Sequence, residues 1–145
     1  MIEGVIIKNL PKFEDGRGWL TEIFRTDELS GYTPVMSYIS ATKPGVARGP
    51  HEHQFQSDCF VFIGPGNFEL YLWDKKGEEM KLEVGEKNPS LVIVPPGIVH
   101  GYKCIGNIDA WCINLPDKLY KGKNKSEEVD EIRWETNPDS PYHIT

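Results

Sequence analysis

The sequence predicts an all-β protein, a sandwich or barrel built from short strands. Apolar residues recur with a period of two rather than 3.6, as in residues 68–73, which is the pattern of a strand with two different faces. The 14 glycines and 11 prolines are spread along the chain and divide it into short segments. No helical stripe of apolar residues precedes residue 116. Many short strands at close spacing are typical of sandwiches and barrels.

Each expected strand is a short apolar segment bounded by residues that favour turns. In chain order we predict strands at residues 4–7, 20–24, 35–40, 60–63, 68–73, 80–84, 91–94, 99–104 and 110–115. Within the fifth of these, Phe68, Leu70 and Leu72 share one face. The sequence Gly-Pro-Gly-Asn at residues 64–67 is one of the turns that separate the strands.

The composition is that of one globular domain, residues 1–145, with 39% hydrophobic and 26% charged residues. The net charge is −6, from 16 Lys and Arg against 22 Asp and Glu, so we expect no nucleic-acid partner. The longest apolar run, residues 91–94, is far shorter than the roughly 20 residues that span a bilayer, so we expect no membrane partner. The N terminus carries no leader pattern and three cysteines cannot all pair, which predicts a cytoplasmic protein with reduced thiols.

The last thirty residues form an irregular C-terminal segment of different composition. Four lysines precede a run of acidic residues, and this pattern predicts a solvated loop or short helix. The alternative is that the lysines hold a substrate phosphate. The lysines are Lys118, Lys121, Lys123 and Lys125.

Three of the four histidines form the most informative pattern in the chain. His51 and His53 are two residues apart, so an extended strand would direct both imidazoles to the same side. His100 follows the tight turn Pro-Pro-Gly at residues 95–97. We predict that the three rings face a shared, sheltered hollow. The alternative is a purely structural cluster at the mouth of a barrel.

Such a centre could perform acid–base chemistry on a keto compound. A neutral imidazole can take a proton from the carbon beside a ketone, a second polar group can stabilise the enolate, and a tyrosine can return a proton to the opposite face. Arg48, next to the histidine pair, and Arg17 could hold a phosphate or carboxylate.

The same residues can also be interpreted as a metal site. Three imidazoles and one carboxylate suit iron, manganese, nickel or zinc, with open positions for a substrate. The four candidate ligands are His51, His53, Asp58 and His100.

Four stretches of the chain resemble the cupin-fold enzymes that act on nucleotide-linked 4-keto-6-deoxy sugars, chiefly the dTDP-4-dehydrorhamnose 3,5-epimerases. They occur in the family's order at residues 13–24 (FEDGRGWLTEIF), 45–51 (GVARGPH), 93–102 (IVPPGIVHGY) and 131–134 (EIRW). The resemblance implies a double-stranded β-helix, also called a jelly-roll barrel, and a homodimer that needs no cofactor. It also implies that His51 is the catalytic base and that Arg17 and Arg48 bind the phosphates. We further predict that Glu22 and Tyr102 contact the substrate.

The chain departs from these epimerases at several positions. Asp58 stands where they have a lysine, His53 where they have a glutamine, and Ile113 near the place of their tyrosine acid. The chain also ends before the segment that carries their aspartate. The short sugar 3,4-ketoisomerases are similar in another way, because they share the pattern Arg-Gly-x-His-x-His at residues 48–53 and a tyrosine that matches Tyr38.

Taken together, these patterns predict an epimerase or isomerase of a nucleotide-linked 4-keto-6-deoxyhexose in deoxysugar or polysaccharide biosynthesis. We expect His51 to remove the proton, His53 or His100 to stabilise the enolate, and Tyr38 or Tyr102 to return a proton. Two alternatives remain open at this point: a metal-dependent cupin enzyme that uses the four ligands above, and a catalytically inactive sugar-binding cupin.

Overall fold

The computed structural model describes residues 1–145, and strands account for nearly all of its regular structure. Two 3₁₀ helices, Lys123–Lys125 and Trp134–Thr136, lie in the C-terminal segment. The twelve strands are β1 (Ile6–Asn9), β2 (Phe13–Asp15), β3 (Gly18–Leu20), β4 (Tyr38–Thr42), β5 (Ala47–Glu52), β6 (Asp58–Phe62), β7 (Asn67–Trp73), β8 (Glu79–Gly85), β9 (Ser90–Val94), β10 (Val99–Ile105), β11 (Ala110–Asn114) and β12 (Ile132–Arg133).

The strands form two five-stranded antiparallel sheets and a separate hairpin. The first sheet has the order β1-β9-β6-β11-β4, and the second has the order β12-β5-β10-β7-β8. The hairpin consists of β2 and β3. The chain passes repeatedly between the two sheets, so the prediction of an all-β jelly-roll barrel with an irregular C-terminal segment is confirmed.

Most of the predicted strands match observed strands to within three residues at each end. The predicted strand at residues 20–24 is wrong, because only Leu20 belongs to a strand and the chain then crosses the outer face of the first sheet. Besides β3, of which only Leu20 lay in a predicted strand, three observed strands were not expected, namely β2, β5 and β12. In β5 the residues Gly49 and Pro50 interrupt the apolar alternation, and in β2 all three side chains are exposed.

The central core lies between the two sheets. Phe60 and Phe62 of β6 face Phe68, Leu70 and Leu72 of β7 across this core, and all five side chains are buried. The face shared by Phe68, Leu70 and Leu72 is therefore the one that the period of two predicts. Burial of these apolar side chains is the main driving force for closing the barrel.

Both sheets are also covered on their outer faces. Residues 23–32 pack over the first sheet, where Leu91 and Ile93 are buried beneath them, while Val92 and Val94 of the same strand face the central core. The C-terminal segment covers the second sheet, and Trp134 packs there over Tyr71 and its neighbours. Cover on both faces explains why residues 91–94 are all apolar instead of alternating with polar residues.

No helix of the structure has the length and apolar character that crossing a membrane requires.

Gly49 is needed where β5 approaches β10. Its φ is 87°, and a Cβ atom at this position would lie 2.7 Å from the carbonyl oxygen of His100 and 3.0 Å from Cα of Gly101. Both neighbours are backbone atoms of β10, so they cannot move aside cheaply. The glycine therefore sets the spacing between the two strands that carry His51 and His100.

We expect Gly49→Ala to lower the free energy of unfolding by about 2 kcal/mol or more, because a left-handed conformation alone costs an alanine roughly 1–2 kcal/mol and the clash adds to it. Urea denaturation followed by circular dichroism measures the change. Gly16→Ala is the matched control, since a Cβ atom at Gly16 meets nothing within 4 Å. Equal stability of the two variants would contradict the assigned role of Gly49.

Candidate active site

A cavity of about 1020 Å³ opens at one end of the barrel. The barrel side of the cavity is lined by Tyr38, Arg48, His51 and Tyr102 from strands and by His53 from the loop after β5. More than half of the other lining residues belong to residues 116–135. The C-terminal segment is therefore a wall of the cavity, and it is also the mostly exposed loop with a short helix that the sequence predicted. The segment is held there because its short strand β12 pairs with β5.

The three histidines converge at the base of this cavity. His51 on β5 is directly paired with His100 on β10, and their ring centroids are 4.5 Å apart. The ring of His53 lies 5.5 Å from that of His51 and 5.6 Å from that of His100. The predicted shared hollow is present, with one difference. Strand β5 ends at Glu52, so His53 is placed by the loop that follows and not by the strand itself.

Asp58 lies beneath the histidines and is almost completely buried, with 1% of its surface exposed. Its Oδ1 accepts hydrogen bonds from Gln56 Nε2 at 2.8 Å and from Asn114 Nδ2 at 2.9 Å. Its Oδ2 faces His53 Nε2 at 2.9 Å and His100 Nε2 at 3.1 Å. A buried carboxylate needs this degree of compensation, because an uncompensated charge in the interior is very unfavourable.

Burial and charge shift the titration of this cluster in different directions. Burial and the neighbouring His100 and His53 lower the pKa of His51 to about 3, so its imidazole is neutral. Burial alone would lower the pKa of His53, but the contact with Asp58 outweighs it and raises that pKa to about 9. Burial would raise the pKa of Asp58, yet the contacts with His100 and His53 hold it well below its usual value.

Asp130 fixes the loop that carries His53. Its carboxylate accepts three backbone N–H groups, those of Gln54, Phe55 and Gln56, at 2.8–2.9 Å. Its backbone carbonyl oxygen accepts a hydrogen bond from Nδ1 of His53. Sequence analysis missed Asp130, because it stands in a run of acidic residues where nothing distinguishes it from a solvated side chain.

Tyr38 connects the wall of the cavity to the buried carboxylate. The amide Nδ2 of Asn114 donates to the hydroxyl of Tyr38 at 2.8 Å and also to Asp58. Burial raises the pKa of Tyr38 to about 12, so its hydroxyl keeps its proton near neutral pH. Tyr102 is buried more deeply, and burial raises its pKa well above the usual value. Asn114 was also missed, although a lone asparagine in the apolar strand 110–115 is a signal that could have identified it.

The two arginines expected to bind phosphate occupy different places. Arg48 lines the cavity, and it is held by hydrogen bonds from Nε to the Thr42 hydroxyl at 2.8 Å and from Nη2 to the Ala41 carbonyl at 2.9 Å. Arg17 lies in the β2–β3 hairpin, pairs with Asp15 at 2.5 Å and leaves 92% of its side chain exposed. Because the hairpin lies outside the barrel, Arg17 does not line the cavity of its own chain.

Glu22 also lies outside the cavity of its own chain. Its carboxylate is exposed and pairs with Arg25 Nη1 at 3.3 Å. The substrate-binding roles of Glu22 and Arg17 therefore stay predictions. Within a single chain, the residues that meet at one place are the three histidines, Asp58, the two tyrosines and Arg48.

Comparisons with known proteins agree with this architecture. Residues 13–127 match the family model described as "Polysaccharide biosynthesis C-terminal domain". The spore coat polysaccharide biosynthesis protein SpsL of Bacillus subtilis is 33% identical over 93% of this chain and 91% of its own length. The probable low-salt glycan biosynthesis epimerase Agl13 of Haloferax volcanii is 35% identical over 88% of this chain and 86% of its own length.

A solved structure shares the fold at lower sequence identity. The dTDP sugar isomerase of Desulfovibrio desulfuricans G20 superimposes with a TM-score of 0.84 at 19% identity, over 98% of this chain and 91% of the other. This match confirms the jelly-roll fold that the sequence resemblance implied. The family model spans most of the chain and both relatives exceed 30% identity, so this chain belongs to the polysaccharide biosynthesis C-terminal domain family.

Proposed function

We propose that this protein is an isomerase that epimerises or isomerises a nucleotide-linked 4-keto-6-deoxyhexose for the synthesis of a polysaccharide or glycan. The names of its relatives support this substrate class, since one is an epimerase of glycan biosynthesis and the fold is shared with a dTDP sugar isomerase. The observation that carries the proposal is the neutral imidazole of His51 on the cavity wall, with the hydroxyl of Tyr38 in the same cavity.

His51 acts as the general base. Its ring lines the cavity, and its Nδ1 is 3.9 Å from Glu131, too far for a hydrogen bond that would occupy it. A neutral imidazole with a free nitrogen can accept the proton of the carbon next to the ketone. The bonding electrons then pass to the ketone oxygen, and an enolate forms.

His53 and Tyr38 complete the reaction. His53 faces the cavity, whereas His100 is sealed beneath it. Both ring nitrogens of His53 are held by Asp130 and Asp58, so it stabilises the enolate through the positive charge that its raised pKa favours. Asn114 donates to the Tyr38 hydroxyl, which leaves the hydroxyl's own proton free to move to the substrate. Delivery to the opposite face of the carbon inverts its configuration. In a keto shift, the enolate oxygen takes up the proton of Tyr38, the proton held by His51 is added to the former ketone carbon, and the adjacent hydroxyl returns its own proton to Tyr38 as it becomes the new carbonyl.

The diphosphate of the nucleotide sugar binds at the basic part of the cavity. Arg48 lines the cavity from β5, and three of the four C-terminal lysines, Lys118, Lys121 and Lys125, line it from the C-terminal segment. Forked guanidinium donors and lysine ammonium groups are both common partners of phosphate oxygens. This arrangement favours the phosphate-binding role that the sequence left as an alternative for the lysines.

The proposed enzyme is a homodimer. The β2–β3 hairpin exposes Phe13, Trp19 and Leu20, each more than half accessible, and such apolar side chains on a projecting element are typical of an interface. If the hairpin reaches the cavity of the second chain, Arg17 and Glu22 take up the substrate-binding roles that the resemblance implies.

We expect His51→Ala to lower turnover by at least about 100-fold, which is the usual contribution of a general base, and to leave dTDP binding unchanged. The assay incubates the protein with a dTDP-linked 4-keto-6-deoxyhexose in D₂O and locates deuterium in the sugar by NMR. His143→Ala is the matched control, because His143 is the histidine outside the cluster. Wild-type turnover in His51→Ala would refute the assignment, and wild-type protein that binds dTDP but exchanges no deuterium would be a sugar-binding module.

Tyr38→Phe separates the two proton transfers. We expect this variant to keep His51-dependent exchange of deuterium into the substrate and to form product about 100-fold more slowly, because the enolate lacks its second proton donor. The measurement compares deuterium in recovered substrate with deuterium in product. Loss of both exchange and product, with dTDP binding intact, would show that Tyr38 is not the acid on the second face.

A mixing experiment tests whether the hairpin crosses to the second chain. We expect Arg17→Ala to weaken dTDP binding by about 10–100-fold, as for other hydrogen bonds to charged groups. If Arg17 of one chain serves the cavity of the other, mixing Arg17→Ala with His51→Ala and allowing subunit exchange produces mixed dimers. One site in each mixed dimer then has both His51 and Arg17 intact, so about a quarter of all sites regain their activity. A mixture that stays as inactive as its components, although mass spectrometry shows mixed dimers, would place Arg17 outside the site.

A further inference from the structure

We infer that Glu52 is a positioning residue, which anchors the C-terminal segment to the barrel and so places the groups of that segment that bind the nucleotide. Glu52 follows His51 in β5, so its side chain points to the opposite face of the strand and takes no part in the proposed reaction. The effect on the nucleotide rests on the proposed function, whereas the anchoring of the segment does not.

The carboxylate of Glu52 is buried beside an aromatic cluster on the outer face of the second sheet. Tyr142 lies at the centre of this cluster, with its ring centroid 5.6 Å from that of Trp73 and 5.1 Å from that of Trp134. Only 5% of the surface of Glu52 is exposed. A buried ion pair adds little stability compared with an apolar side chain of similar size, so the presence of a carboxylate here indicates a role other than packing.

One oxygen of Glu52 binds two partners that both contact the cluster. Oε1 accepts a hydrogen bond from Nε1 of Trp134 at 2.9 Å and one from Nζ of Lys75 at 2.6 Å. The same ammonium group lies 5.1 Å from the ring centroid of Trp134 and 5.5 Å from that of Tyr142, within the range of cation–π attraction. The indole of Trp134 is therefore held both at its N–H group and over its ring.

Trp134 is the residue through which the C-terminal segment is anchored. It follows directly after β12, a strand of only two residues, both of them exposed. In this strand Ile132 is paired with Glu52, and Arg133 is paired with His51. Two pairings with exposed side chains bury little apolar surface and are weak by themselves. The contact between Glu52 and Trp134 therefore fixes the segment at the point where it passes the catalytic base.

The anchored segment carries groups that line the cavity. They include Lys118, Lys121 and Lys125, to which the proposed function assigns the diphosphate, and Glu131, which is 3.9 Å from His51. The base itself lies on β5 and does not depend on this anchor for its place in the barrel. Loss of the anchor should therefore displace the lysines and weaken nucleotide binding.

The test compares variants of the full-length protein by dTDP affinity and by tryptic cleavage of the folded protein. Glu52→Leu and Trp134→Phe each remove the hydrogen bond and keep apolar bulk. We expect each variant to bind dTDP about 10-fold more weakly, the usual effect of losing a hydrogen bond to a charged group. Trypsin should cleave after the lysines of the C-terminal segment about 10-fold faster, as mapped by mass spectrometry. Glu52→Gln keeps the accepting oxygen and should stay within about 3-fold of the wild type in both measurements.

Glu69→Leu is the matched control for a purely structural effect. Glu69 lies on the outer face of the same sheet, where it accepts a hydrogen bond from Tyr71 at 2.8 Å and pairs with Lys81 at 3.0 Å. Its loss removes a comparable set of contacts without releasing Trp134. We expect wild-type dTDP affinity and wild-type cleavage in this variant, even where its urea midpoint falls.

Several outcomes would overturn the inference. Wild-type affinity and cleavage in Glu52→Leu or Trp134→Phe would do so, as would equal losses in Glu69→Leu or a failure of Glu52→Gln to restore both properties. Faster cleavage with unchanged dTDP affinity would refute the positioning role, because the segment would then be held without placing the binding groups. Trp134→Phe decides the question if Glu52→Leu fails to fold. A wild type that binds no dTDP would refute the proposed function, and the cleavage rates alone would then decide whether Glu52 anchors the segment.

Discussion

The buried carboxylate of Asp58 is the group on which the organisation of the site depends. Its transfer from water to the interior costs several kcal/mol, and the protein offsets this cost with donors or charges on both oxygens. Gln56 and Asn114 bind one oxygen, and His53 and His100 face the other. These partners come from β10, β11 and the loop after β5, and Asp58 itself begins β6. The hydrogen-bond requirements of one carboxylate therefore hold four parts of the chain together.

The cavity combines a regular wall with an irregular one. Strands of the barrel carry His51 and Tyr38, whose positions follow from pairing and side-chain alternation. The opposite wall is the C-terminal segment, which is held by the pairing of β12 with β5 and by the contacts of Asp130. Enzymes commonly carry their reacting groups on a regular scaffold and bind the substrate with loops, because loops can vary in sequence without disturbing that scaffold.

Prediction from sequence succeeded where a local pattern has only one structural solution. The alternation in residues 68–73 fixed the buried face of β7. The histidine pattern identified two rings that share one hollow, although the loop after β5, and not the strand, places His53. It failed where tertiary contacts override local preference. Residues 20–24 have the composition of a strand, but they lie over the outer face of the first sheet, where the apolar Leu91 and Ile93 need cover.

The amino-acid sequence by itself determined the fold class, the strands of the core and the identity of the histidine cluster, because these follow from periodicity and short spacings. Only the tertiary structure decided that the C-terminal segment walls the cavity, that Asn114 and Asp130 support the site, and that Arg17 lies away from it. The physical reason is that the first two facts arise from contacts between residues about 50 to 80 positions apart, and the third from a hairpin that lies outside the barrel. Such contacts depend on how the sheets close and leave no signal in the spacing of neighbouring residues.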